Sequence, residues 1–148
     1  MIIQLDQLDF VIRVKEGMNK DIRISLVIRH PYEDIFSLVS ELNIKPFRVW
    51  VSGDKRETPK GRKLTGRHKE SYCCLRGEIN EQFDLSGNIA LFLNLLAPIN
   101  HKLNALVETG GSMELLLYNV GDNRLVDKVE FSLIARLSKL KISLCFDL

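Results

Sequence analysis

Three histidines and three cysteines are the side chains of this sequence best suited to metal binding or nucleophilic catalysis. His30, His68 and His101 fall in separate segments, and neither an HExxH motif nor a pair of CxxC motifs is present. Cys73 and Cys74 are adjacent on a predicted strand, where neighbouring side chains point to opposite faces, so they are poorly placed to bind one ion together. The spacing therefore predicts structural histidines and reduced cysteines, with no metal and no cofactor.

Motifs for covalent catalysis and for nucleotide binding are also missing from the sequence. There is no GxSxG turn, and nothing in the sequence places a cysteine beside a histidine. Gly61 and Gly66 have the spacing of a phosphate-binding loop, but Arg67 and His68 follow where that motif requires Lys and then Ser or Thr. We therefore expect a protein that is not an enzyme. An active site assembled from scattered residues is the alternative that the sequence leaves open.

The most unusual feature is a run of positive charge from Asp54 to Lys69, which we call the basic segment. Its cations outnumber its carboxylates by seven to two, so it carries +5 while the remainder of the chain carries −3. Its seven cationic residues are Lys55, Arg56, Lys60, Arg62, Lys63, Arg67 and Lys69. Such a segment could attract an acidic protein surface or nucleic-acid phosphates, or it could be a solvated connector. It contains no Phe, Trp or Tyr for base stacking, which favours a protein partner over single-stranded RNA.

The only tryptophan, Trp50, precedes the basic segment on a predicted strand, on the face opposite Val49 and Val51. A large rigid ring gains much contact area when it docks into a partner. Trp50 and the seven cations are therefore the candidate partner-binding residues. A half-buried position on the sheet is the alternative interpretation of Trp50.

Length and composition indicate one domain spanning residues 1–148. A chain of 148 residues that is 45% hydrophobic and 27% charged is typical of a globular protein. The net charge of +2 is too small to make the whole molecule a polyanion binder. No apolar run of about 18 residues exists, and no basic region precedes Asp6 and Asp9, so we expect a cytoplasmic protein without a membrane segment. The odd number of cysteines fits reduced thiols.

Hydrophobic periodicity predicts about six strands and two to three helices. The strands are predicted over 8–14, 21–29, 47–52, 72–78, 113–120 and 141–146. Helices are predicted from His30-Pro31 onward, over 86–108 with a kink or a break at Pro98, and over 129–140. Gly17 and Asn19 predict a hairpin between the first two strands, and the basic segment is predicted to be an irregular loop that projects from the sheet.

This order of elements predicts an α+β fold. The strands over 21–29 and 47–52 alternate in polarity rather than running uniformly apolar, which indicates an antiparallel sheet with one solvated face. We expect the helices mainly on the other face. A ferredoxin-like arrangement with additions fits a helix after the second strand and a long helix after the fourth.

The stretch LNIKPFRVWVSGDKRETPKGRKLTGRHKESYCCL resembles the family called domain of unknown function 4279. The similarity is carried by an aromatic strand, the GD pair at 53–54, the PKG triplet at 59–61 and a following short strand. The later Leu-rich helix and the terminal strand ISLCFDL are similar to the family's closing pattern, so the resemblance covers roughly residues 20–148. The two cysteines at 73–74 stand where an aromatic residue would be expected. The resemblance implies no catalytic residues, and some small bacterial proteins of this kind resemble immunity proteins of toxin systems.

These observations together predict a non-catalytic module that binds another protein, with the basic segment and Trp50 near the interface. The role implied by the family resemblance is that of an immunity protein that neutralises a cognate toxin by binding it. A nucleic-acid-binding protein that uses residues 54–69 on phosphates is the alternative. Nuclease toxins have basic sites and call for acidic inhibitors, so the sequence does not point to that class of toxin. Neither the identity of the partner nor the oligomeric state follows from the sequence.

Overall fold

A computed structural model describes residues 3–6, 9–14, 22–121 and 125–147. Its centre is a five-stranded sheet with the strand order β10-β8-β3-β7-β4. The five strands are β3 (Ile22–His30), β4 (Arg48–Trp50), β7 (Ser71–Gly77), β8 (Ser112–Asn119) and β10 (Ile142–Asp147). A three-stranded antiparallel sheet contains β1 (Ile3–Asp6), β2 (Asp9–Val14) and β9 (Leu125–Val129). A separate two-stranded pair contains β5 (Lys55–Glu57) and β6 (Lys63–Arg67).

Four helices pack on the five-stranded sheet. They are α1 (Ile35–Val39), α2 (Leu85–Leu96), α3 (Asn100–Glu108) and α4 (Phe131–Lys139). A short 3₁₀ turn, Ala97–Ile99, separates α2 from α3, because Pro98 has no amide hydrogen to continue the helical ladder. Side-chain caps begin two of the helices: Asp34 accepts from the Ser37 amide at 3.2 Å, and Asp84 accepts from the Gly87 amide at 2.7 Å.

The path of the chain through the sheet confirms the α+β prediction and its ferredoxin-like core. The succession β3-α1-β4-β7-α2-α3-β8 produces the order β8-β3-β7-β4, in which every neighbouring pair is antiparallel. The chain then passes through β9 and α4 and adds β10 parallel to β8. The sheet is therefore mixed, and the expectation of a wholly antiparallel sheet is corrected at β10. A parallel neighbour needs a long crossover, which this passage supplies.

The two faces of the central sheet differ in what covers them. Alternate residues of β3, from Ile22 to Ile28, join one buried apolar cluster with side chains of all four helices. Val27 on the opposite face is also buried but stands outside that cluster, and Arg23 on that face is exposed. The described helices thus lie on one face, as predicted, and we call the opposite face, on which none of them packs, the helix-free face.

The predicted hairpin between the first two strands was wrong. β2 pairs with β1 and β9 rather than forming a hairpin with β3, which belongs to the other sheet. Gly17 and Asn19, on which the hairpin prediction depended, lie outside the described residues. β1 and β9 were not predicted at all. Within the described part of the chain, no helix has the length and apolar character needed to cross a membrane.

Candidate partner-binding site

The basic segment is an ordered two-stranded ribbon rather than the irregular loop that was expected. β5 and β6 pair antiparallel, and the Thr58 amide donates to the Arg62 carbonyl at 2.8 Å across the turn that joins them. Gly61 in that turn has φ +86°, a conformation that disfavours residues with a side chain. The Gly61 amide donates to the Thr58 carbonyl at 2.8 Å and closes the turn. The segment therefore has its own backbone ladder and a defined tip.

Backbone and side-chain hydrogen bonds attach the base of the basic segment to the central sheet. The Gly53 amide donates to the His68 carbonyl at 2.8 Å, and the His68 amide donates to the Asp54 carbonyl at 2.9 Å. Next to the sheet, the Ser52 amide donates to the buried Ser71 hydroxyl at 2.9 Å. These bonds fix the position of the segment relative to β4 and β7.

Three rings stack where the basic segment leaves the sheet. The Trp50 ring centroid lies 4.1 Å from that of His68 and 4.4 Å from that of Tyr72, with interplanar angles of 13° and 14°. The indole Nε1 donates to the Glu70 carbonyl at 3.0 Å, and the Arg48 guanidinium lies 5.0 Å from the indole centroid. Trp50 is half-buried in this arrangement. Stacked rings of this kind stabilise each other beyond the apolar area they bury, so the stack attaches the segment to the sheet.

The positive charge of the basic segment is not neutralised by the fold. All seven cationic side chains are exposed, and none forms an ion pair with any residue that the structure describes. By contrast, four cations elsewhere in the described chain have carboxylate partners: Arg29, Lys102, Lys128 and Lys141. Lys55 and Arg67 are direct cross-strand partners, a like-charge arrangement that costs stability. The segment therefore presents concentrated charge to solvent.

A groove of about 590 Å³ opens where the basic segment meets the sheet. It is lined by Pro31, Trp50, Arg56, Arg67, His68, Lys69 and Glu70. Three cations face one carboxylate in this lining, and the Glu70 carboxylate already lies 3.5 Å from Arg29. The groove combines positive charge with an aromatic wall, which suits an anion attached to an apolar group.

The candidate residues divide between the groove and the rest of the basic segment. Trp50, Arg56, Arg67 and Lys69 line the groove. The other four candidates, Lys55, Lys60, Arg62 and Lys63, are exposed outside that lining. Sequence reasoning did not include His68, which stacks on Trp50 and contributes to the same groove.

The helix-free face of the sheet carries four arginines that sequence reasoning did not group. They are Arg23, Arg29, Arg48 and Arg76, and they come from β3, β4 and β7. Three of them lie over rings: Arg29 over Tyr72 at 5.4 Å, Arg48 over Trp50 at 5.0 Å and Arg76 over Phe47 at 3.3 Å. Arg23 and Arg29 lie on the same face of β3, and the strand order brings Arg48 of β4 and Arg76 of β7 to that surface.

Burial raises the pKa of Tyr72, a ring of the stack, and of Cys73 beside it. Burial, with a smaller effect of the neighbouring Cys74, raises the pKa of the Cys73 thiol to about 12. The pKa of Tyr72 is raised by burial and by Cys74, against the opposing effect of Arg29 and Arg48. None of Cys73, Cys74 and Cys145 forms a disulfide bond. A buried thiol with so high a pKa remains protonated and is a poor nucleophile.

His30 has a structural environment. Its Nδ1 accepts from the amides of Tyr32 at 3.1 Å and Glu33 at 2.9 Å, which places the ring hydrogen on Nε2. Nε2 then donates to the Thr109 hydroxyl at 2.8 Å. Among the described residues, no group of three or more His, Cys, Asp and Glu side chains could hold a metal ion.

Comparison with known proteins identifies one family. The family model described as "Domain of unknown function (DUF4279)" matches residues 20–148, a range that includes the central sheet, the basic segment and all four helices. No curated protein and no solved structure matches the chain. The family match confirms the resemblance that the sequence motifs indicated.

Proposed function

The chain belongs to the family described as domain of unknown function DUF4279, and we propose that this member is a non-catalytic module that binds another protein. One observation carries the proposal: seven exposed cations without ion-pair partners among the described residues project on an ordered ribbon fixed to the sheet. Charge of this kind accelerates the encounter with a complementary surface and disfavours partners of like charge. The partner should therefore present carboxylates where it meets the basic segment.

The arrangement of the rings favours a protein partner over single-stranded nucleic acid. Base stacking requires a ring face that is available to the base. Trp50 stacks on both His68 and Tyr72, and Arg29 lies over Tyr72. The rings are thus occupied by one another and by arginine. Nucleic acid is the second candidate, because the charge of the segment alone would attract phosphates.

A narrower proposal follows from the family resemblance: the partner is a toxin, and this chain is its immunity protein. Neutralisation by occlusion needs a stable complex and no turnover. A rigid, charged surface is sufficient for such a role, and rapid association is an advantage for an inhibitor. This proposal also requires an acidic surface on the toxin at the contact.

The test is an affinity capture from a lysate of the native cell, followed by binding kinetics with the captured partner. The informative variant reverses four charges of the basic segment: Arg56→Glu, Arg62→Glu, Lys63→Glu and Arg67→Glu. A matched control reverses four exposed charges away from the segment and from the four arginines of the helix-free face: Lys45→Glu, Lys128→Glu, Lys139→Glu and Lys141→Glu. A protein captured by wild type and control but not by the segment variant supports the proposal. Equal capture by all three places the interface elsewhere.

A salt series on mixed-sequence RNA and DNA separates the two candidate partner classes. Phosphate contacts by several cations produce a steep fall of affinity with salt concentration. We expect only weak binding to either nucleic acid near physiological salt. Tight binding with a steep salt dependence, lost in the segment variant, would establish nucleic acid as the partner instead.

A further inference from the structure

We propose that the groove at the base of the basic segment is the specificity site of the module, and that it receives an Asp or Glu carboxylate from an acidic segment of the partner protein. This inference rests on the proposed function and adds the chemistry by which the partner is recognised. The ribbon as a whole supplies attraction over a distance, whereas the groove supplies defined contacts. The observation behind it is that Arg56 and Arg67, whose guanidinium groups each donate to a backbone carbonyl, line the same groove as Trp50 and Pro31.

The two guanidinium groups are already held in place by the ribbon. Arg67 Nη1 donates to the Gly53 carbonyl at 2.8 Å, and Arg56 Nη1 donates to the Thr65 carbonyl at 3.3 Å. Each side chain uses one nitrogen in this way and retains other N–H groups for a ligand. A planar guanidinium binds a carboxylate through two parallel hydrogen bonds, and a pre-oriented group loses less conformational entropy on binding. Arg56 and Arg67 are therefore prepared for an anion.

The interior of the fold does not supply that anion. Within the described chain, no carboxylate lies within ion-pair distance of Arg56, Arg67 or Lys69. Among the described residues that line the groove, Glu70 is the only acidic one, and its carboxylate lies 3.5 Å from Arg29. The three cations of the groove thus remain available to an external group.

The rest of the lining favours a carboxylate on a protein chain over a phosphate group. Pro31 and the groove-lining part of half-buried Trp50, which the stack leaves uncovered, offer apolar contact to the neighbouring side chains of a peptide. A carboxylate side chain next to an apolar residue of the same peptide can contact the cations and the apolar wall together, whereas inorganic phosphate has no apolar group for that wall.

Trp50 is the only tryptophan of the chain and lines the groove, so it reports directly on occupancy. The probe is a peptide that alternates glutamate with leucine, and its matched control alternates glutamine with leucine. We expect the glutamate peptide to change the Trp50 fluorescence and the indole Nε1–H NMR signal in a saturable manner. The glutamine peptide should leave both signals unchanged at the same concentration, because it has the same shape without the charge.

Two double variants test the residues of the groove. The double variant Arg56→Ala/Arg67→Ala should bind the glutamate peptide with about tenfold lower affinity, because two exposed charge contacts are lost. Lys45→Ala with Lys139→Ala removes the same charge outside the groove and should leave affinity within about twofold. Thermal melting confirms that both variants fold. Inorganic phosphate and a mixed-sequence RNA oligomer, measured by the same two signals, should bind more weakly than the glutamate peptide.

Several outcomes overturn the inference. These are the absence of a saturable Trp50 response at millimolar glutamate peptide, an equal response to the glutamine peptide, and unchanged affinity in the Arg56/Arg67 variant. Stronger binding of phosphate or RNA with the same sensitivity to Arg56 and Arg67 would identify a phosphate site instead. A different result would refute the proposed function: reversal of the four charges of the basic segment that leaves partner capture unchanged. If that reversal slows association while the groove variant alters nothing, only the groove inference is wrong.

Discussion

Replacing Trp50 by alanine tests whether the three-ring stack holds the basic segment against the sheet. The change removes ring contacts at 4.1 Å to His68 and 4.4 Å to Tyr72, the hydrogen bond to the Glu70 carbonyl at 3.0 Å and the contact with Arg48 at 5.0 Å. No other side chain in the described part of the chain joins the segment to the sheet by ring stacking. Trp50→Ala should therefore lower global stability and also loosen the segment.

The expected size of the effect follows from the half-buried position of the ring. Truncation of a fully buried Trp or Phe to alanine costs about 3–5 kcal/mol. Each aromatic pair contributes about 0.5–1.5 kcal/mol beyond its buried area, and an intramolecular hydrogen bond contributes about 0.5–1.5 kcal/mol. For half-buried Trp50 we expect a loss of about 2–3 kcal/mol in the free energy of unfolding. In a domain of this size that loss lowers Tm by about 4–12 °C.

Thermal unfolding followed by circular dichroism measures the global effect, and amide hydrogen exchange over residues 54–69 measures the local one. Trp50→Phe keeps a ring for stacking but loses the indole donor, so it should cost about 1 kcal/mol. Phe47→Ala is the matched control, because Phe47 is an exposed ring next to β4 that contacts the Arg76 guanidinium and stacks on no described ring. It should cost less than about 1 kcal/mol. If Trp50→Ala melts like wild type and exchange in the segment is unchanged, the stack does not hold the segment.

Three further predictions follow from the site and the core. Reversal of Arg56, Arg62, Lys63 and Arg67 to Glu should change Tm by less than about 4 °C, because all four are exposed and form no ion pair with a described residue. The same variant should associate with a verified partner about tenfold more slowly at low salt, a difference that high salt should remove. Unchanged kinetics at low salt would mean that the segment is a solvated connector. His30→Ala should lower the free energy of unfolding by about 2–4 kcal/mol in chemical denaturation, because it removes the acceptor of two amides and the donor to the Thr109 hydroxyl. Exposed His101→Ala should cost under about 0.5 kcal/mol. In native protein at pH 8 a thiol reagent should modify Cys145 before Cys73, while all three cysteines react in denaturant. Since folding raises the pKa of Cys73 from 9.0 to about 12, its contribution to stability is fully present below pH 9.0 and lost as pH rises toward about 12, so Cys73→Ala should flatten the pH dependence of unfolding in that range. Rapid native modification of Cys73 would contradict this assignment.

The core of the fold could be predicted because its strands obey a local rule. Alternate residues of β3 and β8, such as Leu26 and Leu115, enter the same apolar cluster, and that alternation is visible in the sequence. Strand pairing depends instead on contacts between distant segments. Nothing local to residues 9–14 specifies that β2 pairs with β9, and nothing local to β10 specifies a parallel partner. The predictions of a hairpin and of a wholly antiparallel sheet were therefore wrong for the same reason, because both depended on pairing between distant segments.

The candidate site was partly predictable for a related reason. Charge composition identified the basic segment, and rarity identified Trp50, because both are properties of sequence alone. The ribbon itself buries almost no apolar surface, so the usual alternation of apolar and polar residues that marks a strand is absent from it. The stacking of His68 on Trp50 and the grouping of Arg29 with Arg48 require the β4-β7-β3 order. A sequence pattern becomes informative about such a surface only after strand order is known.

The solvated-connector alternative accounts poorly for the order of the basic segment. Trp50 and Tyr72 are direct partners on β4 and β7, so a short turn beyond them would be sufficient to close this hairpin. The chain instead extends from 51 to 71 before it returns to that pairing, and it builds a second ladder with Lys55 opposite Arg67. This extension opposes like charges and buries little surface, so it contributes little to the stability of the fold. A connector requires neither the internal ladder nor the ring stack at its base. An ordered, uncompensated charge that the fold does not need is best explained by a partner that supplies the opposite charge, which is the basis for proposing an interface there.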